Sequence, residues 1–431
     1  MNAIDIFVLG LDEGNVRTLE KIPGADRFRF HPLLGIDETQ EGEIPIEDLL
    51  HKAEKELADF DGRIGAIVGY WDFPVTALVP MLCRKFGLPG PNLDGVVRCE
   101  HKYWSRLVQR TVLDDVPGFG IVDLDGEPRL PDGLRYPVWL KPVKSFSSEL
   151  AFHVHDDQEF DEAVRQIREG ISRVGKPFEF VLDQVDLPPE ISAIGGQACL
   201  AEETLTGVQA ATEGYVYQGE VTVTGALDSI NYPDTPCFLR HQYPSQLPAD
   251  IVERMSDISR RVMREMRLDN STFSIEFFCD TETGRVSVLE INARHSQSHA
   301  DMFLAVDGVP NHHCMVQLGL GRDPALPRGN GDYEIAAKWY HRRFADGVVT
   351  RVPSAAEIEE IEREIPGVTI DIVPGVGTRL SDMPAQDSYS YELADIFVGA
   401  DSEAEMIRKF ERCVAALHFE FDETGLDGNN G

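Results

Sequence analysis

The feature that most constrains this chain is the stretch Phe273-Ser-Ile-Glu276-Phe-Phe-Cys-Asp-Thr-Glu-Thr-Gly284-Arg-Val-Ser-Val-Leu-Glu290-Ile-Asn292-Ala-Arg294. Apolar residues alternate on either side of a short polar turn, which predicts two strands of a hairpin. Glu276 lies in the first strand. Glu290, Asn292 and Arg294 alternate along the second, so their side chains leave from one face. Two carboxylates and an amide oxygen converging on one spot suit Mg²⁺, a hard cation that takes oxygen ligands and shares them with phosphate. Arg294 adds a planar cation able to hold a phosphoryl or carboxylate group. The alternative is a solvated hairpin face carrying ordinary surface charges. Leu289, Ile291 and Ala293 argue against it, because they make the same strand otherwise a core strand.

This hairpin resembles the metal-binding hairpin of the ATP-grasp superfamily, in which a Glu on one strand is followed by Glu-x-Asn-x-Arg on the next. Three further motifs extend the resemblance in the expected order. Pro89-Gly-Pro91 with Glu100-His-Lys102 is similar to the entry to the ATP-grasp region, where a Lys reaches the nucleotide phosphates. Tyr136-Pro-Val-Trp-Leu-Lys141-Pro142 resembles the strand that carries the second phosphate-binding Lys. Leu200-Ala-Glu202-Glu203-Thr-Leu205-Thr-Gly207-Val-Gln209 resembles the hinge strand that holds adenine and ribose. Four ordered motifs over roughly residues 99–320 are far more specific than any one alone. The resemblance implies an α/β (α+β) protein: an ATP-grasp fold with an N-terminal doubly wound parallel α/β domain and a C-terminal α+β domain.

Composition narrows the partners. The 431 residues include 40 basic and 74 acidic ones, for a net charge of −34. A nucleic-acid partner demands a basic footprint, so that class is excluded. An anionic nucleotide has to be held by local Lys, Arg and Mg²⁺ against an unfavourable global field. The seven Cys are scattered without a Cys-x-x-Cys pair, and most sit in apolar runs, as Cys199, Cys279 and Cys314 do. That pattern predicts reduced core residues rather than a zinc or redox site. No stretch approaches a transmembrane span and the N-terminus reads as a strand rather than a signal peptide, so the expectation is a cytoplasmic protein without a membrane partner.

The chain divides by pattern. Ile4–Gly10 predicts a buried strand, Val16–Lys21 a helix, Arg63–Gly69 a strand and Val75–Phe86 a helix ending at Gly87, the order of a small parallel sheet flanked by helices. Gly10-Leu-Asp-Glu-Gly14 lacks a full Gly-x-Gly-x-x-Gly and reads as a plain strand-to-helix turn. The expected division is a domain over residues 1–97, an ATP-grasp domain over 98–322, a C-terminal α+β domain over 332–421 and a polar tail over 422–431. The last domain is expected to contain a strand over Glu334–Tyr340, a helix over Ser354–Glu364 with Ser354 as its cap, and a helix over Ser402–Leu417. Its pattern resembles the C-terminal domain of carboxylate–amine ligases, including bacterial L-amino acid ligases.

The resemblance also assigns roles. Lys102 and Lys141 neutralise ATP phosphates; Lys141, in the apolar run Val138-Trp-Leu-Lys-Pro, needs a reason to hold a charge. Glu202, Glu203 and Leu205 lie along adenine. Gln209 stands where many relatives place a Glu on ribose, and its amide can still bond a hydroxyl. The loop Val143-Lys-Ser-Phe-Ser-Ser148-Glu-Leu-Ala151 lacks the glycines of its relatives, leaving Ser147 and Ser148 to offer hydroxyls and amides, with Lys144 either a further phosphate-side charge or part of a surface turn. Glu276, Glu290 and Asn292 hold Mg²⁺, two ions being implied and Mn²⁺ able to substitute. The implied reaction activates a small carboxylic acid as an acyl phosphate and joins it to an amine, giving ADP and phosphate. Arg294 stabilises the tetrahedral oxyanion. His241 and His299 are candidates for the substrate side, each equally compatible with a structural role. The partners implied are small-molecule carboxylate and amine substrates, and a homodimer. Biotin carboxylase also resembles the segment around Arg294, but it has an acid base-catalyst where this chain has Ser298. The competing readings are a ligase using another nucleophile, by carboxylation or thiol ligation, and a nucleotide-binding protein without turnover.

Overall fold

The computed structural model describes residues 3–40, 42–146, 149–235, 237–383 and 390–422. Three strands open the chain: β1 (Ile4–Leu9), β2 (Phe28–Leu33) and β3 (Ile64–Gly69). Four shorter ones follow, β4 (Phe119–Val122), β5 (Val138–Pro142), β6 (Phe152–Val154) and β7 (Cys199–Glu203). The middle holds β8 (Val208–Tyr217), β9 (Glu220–Asn231), β10 (Phe238–Tyr243), β11 (Ser271–Cys279) and β12 (Val286–Asn292). Last come β13 (Ile335–Arg343), β14 (Val348–Arg351), β15 (Val368–Ile372), β16 (Tyr391–Ala400) and β17 (Glu420–Asp422). The chain forms two compact units: one of residues 1–226, 247–297 and 311–326, the other of 227–246, 298–310 and 327–431.

The first unit opens with a parallel sheet in the order β2-β1-β3. β1 and β3 are near-continuous apolar runs, as strands of a parallel sheet covered on both faces are, and Ile6, Val8 and Leu9 are fully buried, whereas β2 carries Arg29 and His31. The helix Val75–Phe86 forms as its pattern predicts and stops at Gly87 (φ 65°), whose N–H reaches the Arg84 and Cys83 carbonyls. The first helix starts earlier than its apolar residues suggest, at Glu13, because the Asp12 side chain accepts from Asn15 N–H and caps it. A second, antiparallel sheet runs β4-β7-β5-β6, and a third places β11 between β12 and β8.

The predicted hairpin is β11–β12. Its turn is built by Asp280, whose Oδ1 accepts from Glu282 and Thr283 N–H, and by Gly284 at φ 73°. Glu276 lies directly opposite Glu290, and Ser274 opposite Asn292. The intervening pair Ile275 and Ile291 is buried, as are Phe273 and Phe277. One face of the hairpin is core and the other presents both carboxylates.

In the second unit the sheet order is β9-β10-β13-β16-β15, with β9 contributing its residues from Leu227 on. Trp339 on β13 stacks on Phe410 at 3.9 Å and anchors a core with Ile396 and Val398. The helix Ala355–Glu364 starts at Ser354, which forms a capping box with Glu357. Strand β17 ends at Asp422 and pairs with β14. All seven cysteines are buried thiols.

Candidate functional site

Like charges placed directly opposite on adjacent strands destabilise a sheet unless a cation joins them. Glu276 and Glu290 are such a pair, and Lys102 supplies part of the answer: its Nζ lies 2.8 Å from Glu290 Oε1 and donates to the Ser145 carbonyl at 2.7 Å. Lys102 is the first residue of the helix Lys102–Val112, whose cap is the His101 ring, accepting from Trp104 N–H. A helix N-terminus repels a cation, so this lysine stands where the local backbone field opposes it. Asn292 Nδ2 lies 3.4 Å from Glu276 Oε1, which joins the three proposed ligands into one patch.

Burial alone would raise the Glu290 pKa, but the Lys102 and Lys141 ammoniums outweigh it and hold the carboxyl below its ordinary value. Lys102 moves down as well: desolvation and the neighbouring Lys144 and Lys141 charges exceed the pull of Glu290. Several cations share one small volume.

Lys141 projects from β5 onto Glu202, 2.5 Å away, and the other oxygen of Glu202 meets Arg106 Nε at 2.6 Å. Despite deep burial, these two cations bring the Glu202 pKa down to about 2. Arg106 also donates to the Val288 and Leu289 carbonyls, so it ties β7 to β12. Glu202 therefore turns its side chain toward these cations. Glu203 accepts from Gly118 N–H, Leu205 is half-buried in the turn after β7, and Gln209 lies on β8 opposite Phe278. Ser147 and Ser148 lie outside the described residues.

Three residues here have contacts that the motifs do not assign. Arg106 falls one helical turn after Lys102, so an i,i+4 repeat of cations on a helix was its signal. Glu100 and Asp72 both contact Lys144, at 3.1 and 3.3 Å. Lys144 is buried, with its ammonium 5.2 Å from the Phe73 ring centre, and is not part of a surface turn. Asp72 follows β3 at the carboxyl end of the parallel sheet, the edge where open α/β sheets place ligands. That position was its signal. Its Oδ2 lies 3.0 Å from Arg294 Nη2.

The two histidines belong to the second unit. His241 and His299 meet edge-on at 5.2 Å, and His241 Nδ1 lies 3.0 Å from Ser229 Oγ. Burial first, then the His299 and Lys338 charges, push the His241 pKa well down, so its ring is neutral at pH 7. Lys338, directly opposite His241, pairs with Asp395 at 2.6 Å.

The donor set fits Mg²⁺. Glu276, Glu290 and Asn292 offer only hard oxygen ligands, and among the described residues no three His, Cys, Asp or Glu form a closed metal cage. Mg²⁺ commonly binds through one or two carboxylates and completes its shell with water and phosphate.

Residues 134–300 match the ATP-grasp domain family, and the chain contains an ATP-grasp domain. It is 27% identical over 392 residues to the uncharacterized protein y4rH of Sinorhizobium fredii, covering 84% of this chain and 75% of that one. The fold is similar to that of the L-amino acid ligase of Bacillus licheniformis, with TM-score 0.70, 15% identity and coverage of 98% of this chain and 100% of that one. It is also similar to the biotin carboxylase domain of the Hydrogenobacter thermophilus 2-oxoglutarate carboxylase, solved with MgADP and bicarbonate (TM-score 0.63, 15% identity, 98% and 92% coverage). At these identities the structural likenesses establish the ATP-grasp fold.

Proposed function

We propose that this protein is an ATP-dependent carboxylate–amine ligase that activates a small carboxylic acid, an amino acid or peptide-like acid, and joins it to an amine with release of ADP and phosphate. The observation that carries this reading is the opposed pair Glu276–Glu290 beside Lys102, on the same strand segment as Arg294. Two facing carboxylates weaken the hairpin that bears them and gain a use once a cation bridges them.

In this reading Lys102 and Lys141 hold the nucleotide phosphates, and the hinge residues Glu203, Leu205 and Gln209 line the base and ribose, with Glu202 offering its backbone there while its side chain holds Lys141 and Arg106. Glu276, Glu290 and Asn292 would hold Mg²⁺, which when bound neutralises charge on the phosphoryl oxygens, with Mn²⁺ a substitute. The acid's carboxylate oxygen attacks the γ-phosphorus, breaking its bond to the ADP oxygen and giving an acyl phosphate. The amine then adds to the acyl carbon, loses a proton and expels inorganic phosphate. Arg294 stabilises the oxyanion of that tetrahedral step with charge-assisted hydrogen bonds. His241 and His299 are assigned to the substrate side, where a neutral His241 orients by hydrogen bonding. The L-amino acid ligase likeness supports amide formation.

The test is phosphate release from MgATP across pooled amino acids and other small acids, with product mass identifying the bond made. Release that requires a particular acid and yields an amide supports the reading. A carboxylated product, or MgATP binding without any release across the pools, would replace it with one of the two competing readings.

A further inference from the structure

Asp72 holds two cations with two different oxygens. Oδ2 faces Arg294 Nη2 at 3.0 Å; Oδ1 faces Lys144 Nζ at 3.3 Å and accepts the Phe73 N–H at 2.7 Å. The carboxylate is fixed from below. Phe73 is fully buried and packs edge-on against Phe178, and Lys144 lies over both rings at 5.2 and 5.9 Å. Lys144 has a second carboxylate, Glu100, at 3.1 Å. Arg294 is held more sparsely: its remaining hydrogen bond runs to the His295 carbonyl at 3.4 Å, and its Nε is buried without a partner.

From this geometry we infer that Asp72 is a positioning residue for the ligase reaction, fixing the Arg294 guanidinium against the lysine of the phosphate-side loop. This rests on the ligase reading given above. A guanidinium on a long, flexible side chain has rotamer freedom to lose, and a carboxylate anchored just beyond β3 removes that freedom before substrate arrives. Asp72 does not act as a base: despite burial, Lys144 and Arg294 hold its carboxyl far below the ordinary range, so it stays charged. Its two cations belong to different parts of the site, Lys144 to the loop after β5 and Arg294 to the segment after β12. One carboxylate thus sets the distance between the acid-binding cation and the phosphate-side cation.

The test compares Asp72→Asn with Glu100→Gln. In Asp72→Asn the amide oxygen keeps the Phe73 N–H and a hydrogen bond from Lys144, which retains Glu100, while the amide nitrogen turns a donor onto the Arg294 donor, so Arg294 loses its carboxylate. Glu100→Gln weakens the other carboxylate on Lys144 and leaves the Asp72–Arg294 contact in place. Two readouts are taken on the full chain: the Nε–H resonance of Arg294, assigned by its loss in Arg294→Lys, and the kinetics of acid-dependent phosphate release. In Asp72→Asn the resonance should broaden or vanish, kcat should fall on the order of 100-fold, and KM for the acid should rise while that for MgATP stays within about twofold. In Glu100→Gln the resonance and the acid KM should stay as in the wild type. If Asp72→Asn is too unstable, Asp72→Ser replaces it, since it keeps an acceptor for the Phe73 N–H. A wild-type Arg294 resonance in Asp72→Asn, or the same change in both variants, overturns the inference. Absence of acid-dependent release by the wild type would instead sink the ligase reading, and the resonance would still decide what Asp72 holds.

Discussion

The strand pairs β11–β12 and β13–β16 each carry charge on a sheet whose other face is core, yet they carry it differently. On β13–β16 a cation meets a carboxylate across the strand pair: Lys338 pairs with Asp395 at 2.6 Å. On β11–β12 two carboxylates face each other across the register, and the cation beside them, Lys102, arrives from a helix. A self-neutralised pair needs nothing further. An opposed like pair keeps a deficit that a bound cation can fill, which is why the hairpin reads as a site and the other pair as structure.

The largest differences between the two strand pairs are catalytic. Arg294→Ala and Glu290→Ala should each lower acid-dependent phosphate release by roughly 100-fold or more, the scale of losing one oxyanion donor or a phosphate-neutralising group, as read by single-turnover kinetics. Glu276→Gln should weaken Mg²⁺ dependence while leaving the thermal midpoint of metal-free protein unchanged or higher, because it removes a like-charge contact. A clear drop in that midpoint would show that the hairpin charges are structural after all.

Glu202 and Glu392 titrate with opposite signs. Glu202 has its pKa depressed from 4.5 to about 2, so its contribution to stability is present above 4.5 and is lost as pH falls toward 2. Taken at 1.36 kcal/mol per unit, the loss is about 3 kcal/mol. Glu392 has the opposite sign. Burial and the neighbouring Asp395 raise it to about 8, so its contribution is present below 4.5 and disappears as pH rises through 8. Urea midpoints measured from pH 2 to 9 should lose their acid slope in Glu202→Gln and flatten between pH 5 and 8 in Glu392→Gln.

Smaller effects complete the contrast. Lys338→Met leaves the half-buried Asp395 without its cation and should cost about 1–3 kcal/mol in chemical denaturation, without altering MgATP binding. Ser354→Ala removes one half of the capping box and should cost about 1 kcal/mol.

Legibility followed the range of the interactions. The hairpin, the helix Val75–Phe86 and the Ser354 cap are local: alternation, a C-terminal glycine and a Ser-x-x-Glu spacing decide each within a few residues. The N-terminal helix begins at Glu13, three residues before its apolar pattern, because the Asp12 cap precedes that stripe. Lys102, Lys141, Glu276, Glu290, Asn292 and Arg294 were each nameable from the chain, because strand alternation and a resemblance mark them one at a time. For Arg106, Glu100 and Asp72 the chain offers at most a position, a helical repeat or a place in a motif, and nothing in it shows which side chain each one touches.

By itself, then, the sequence determined the period of each element, the face each polar residue would leave from, and the sign of the overall charge. Only the tertiary structure decided the pairing of charges. Asp72 and Arg294 are separated by more than two hundred positions and meet at 3.0 Å. A side chain's partner is set by packing between elements, to which local periodicity is blind, and burial then turns each such pairing into a shifted pKa and a fixed geometry.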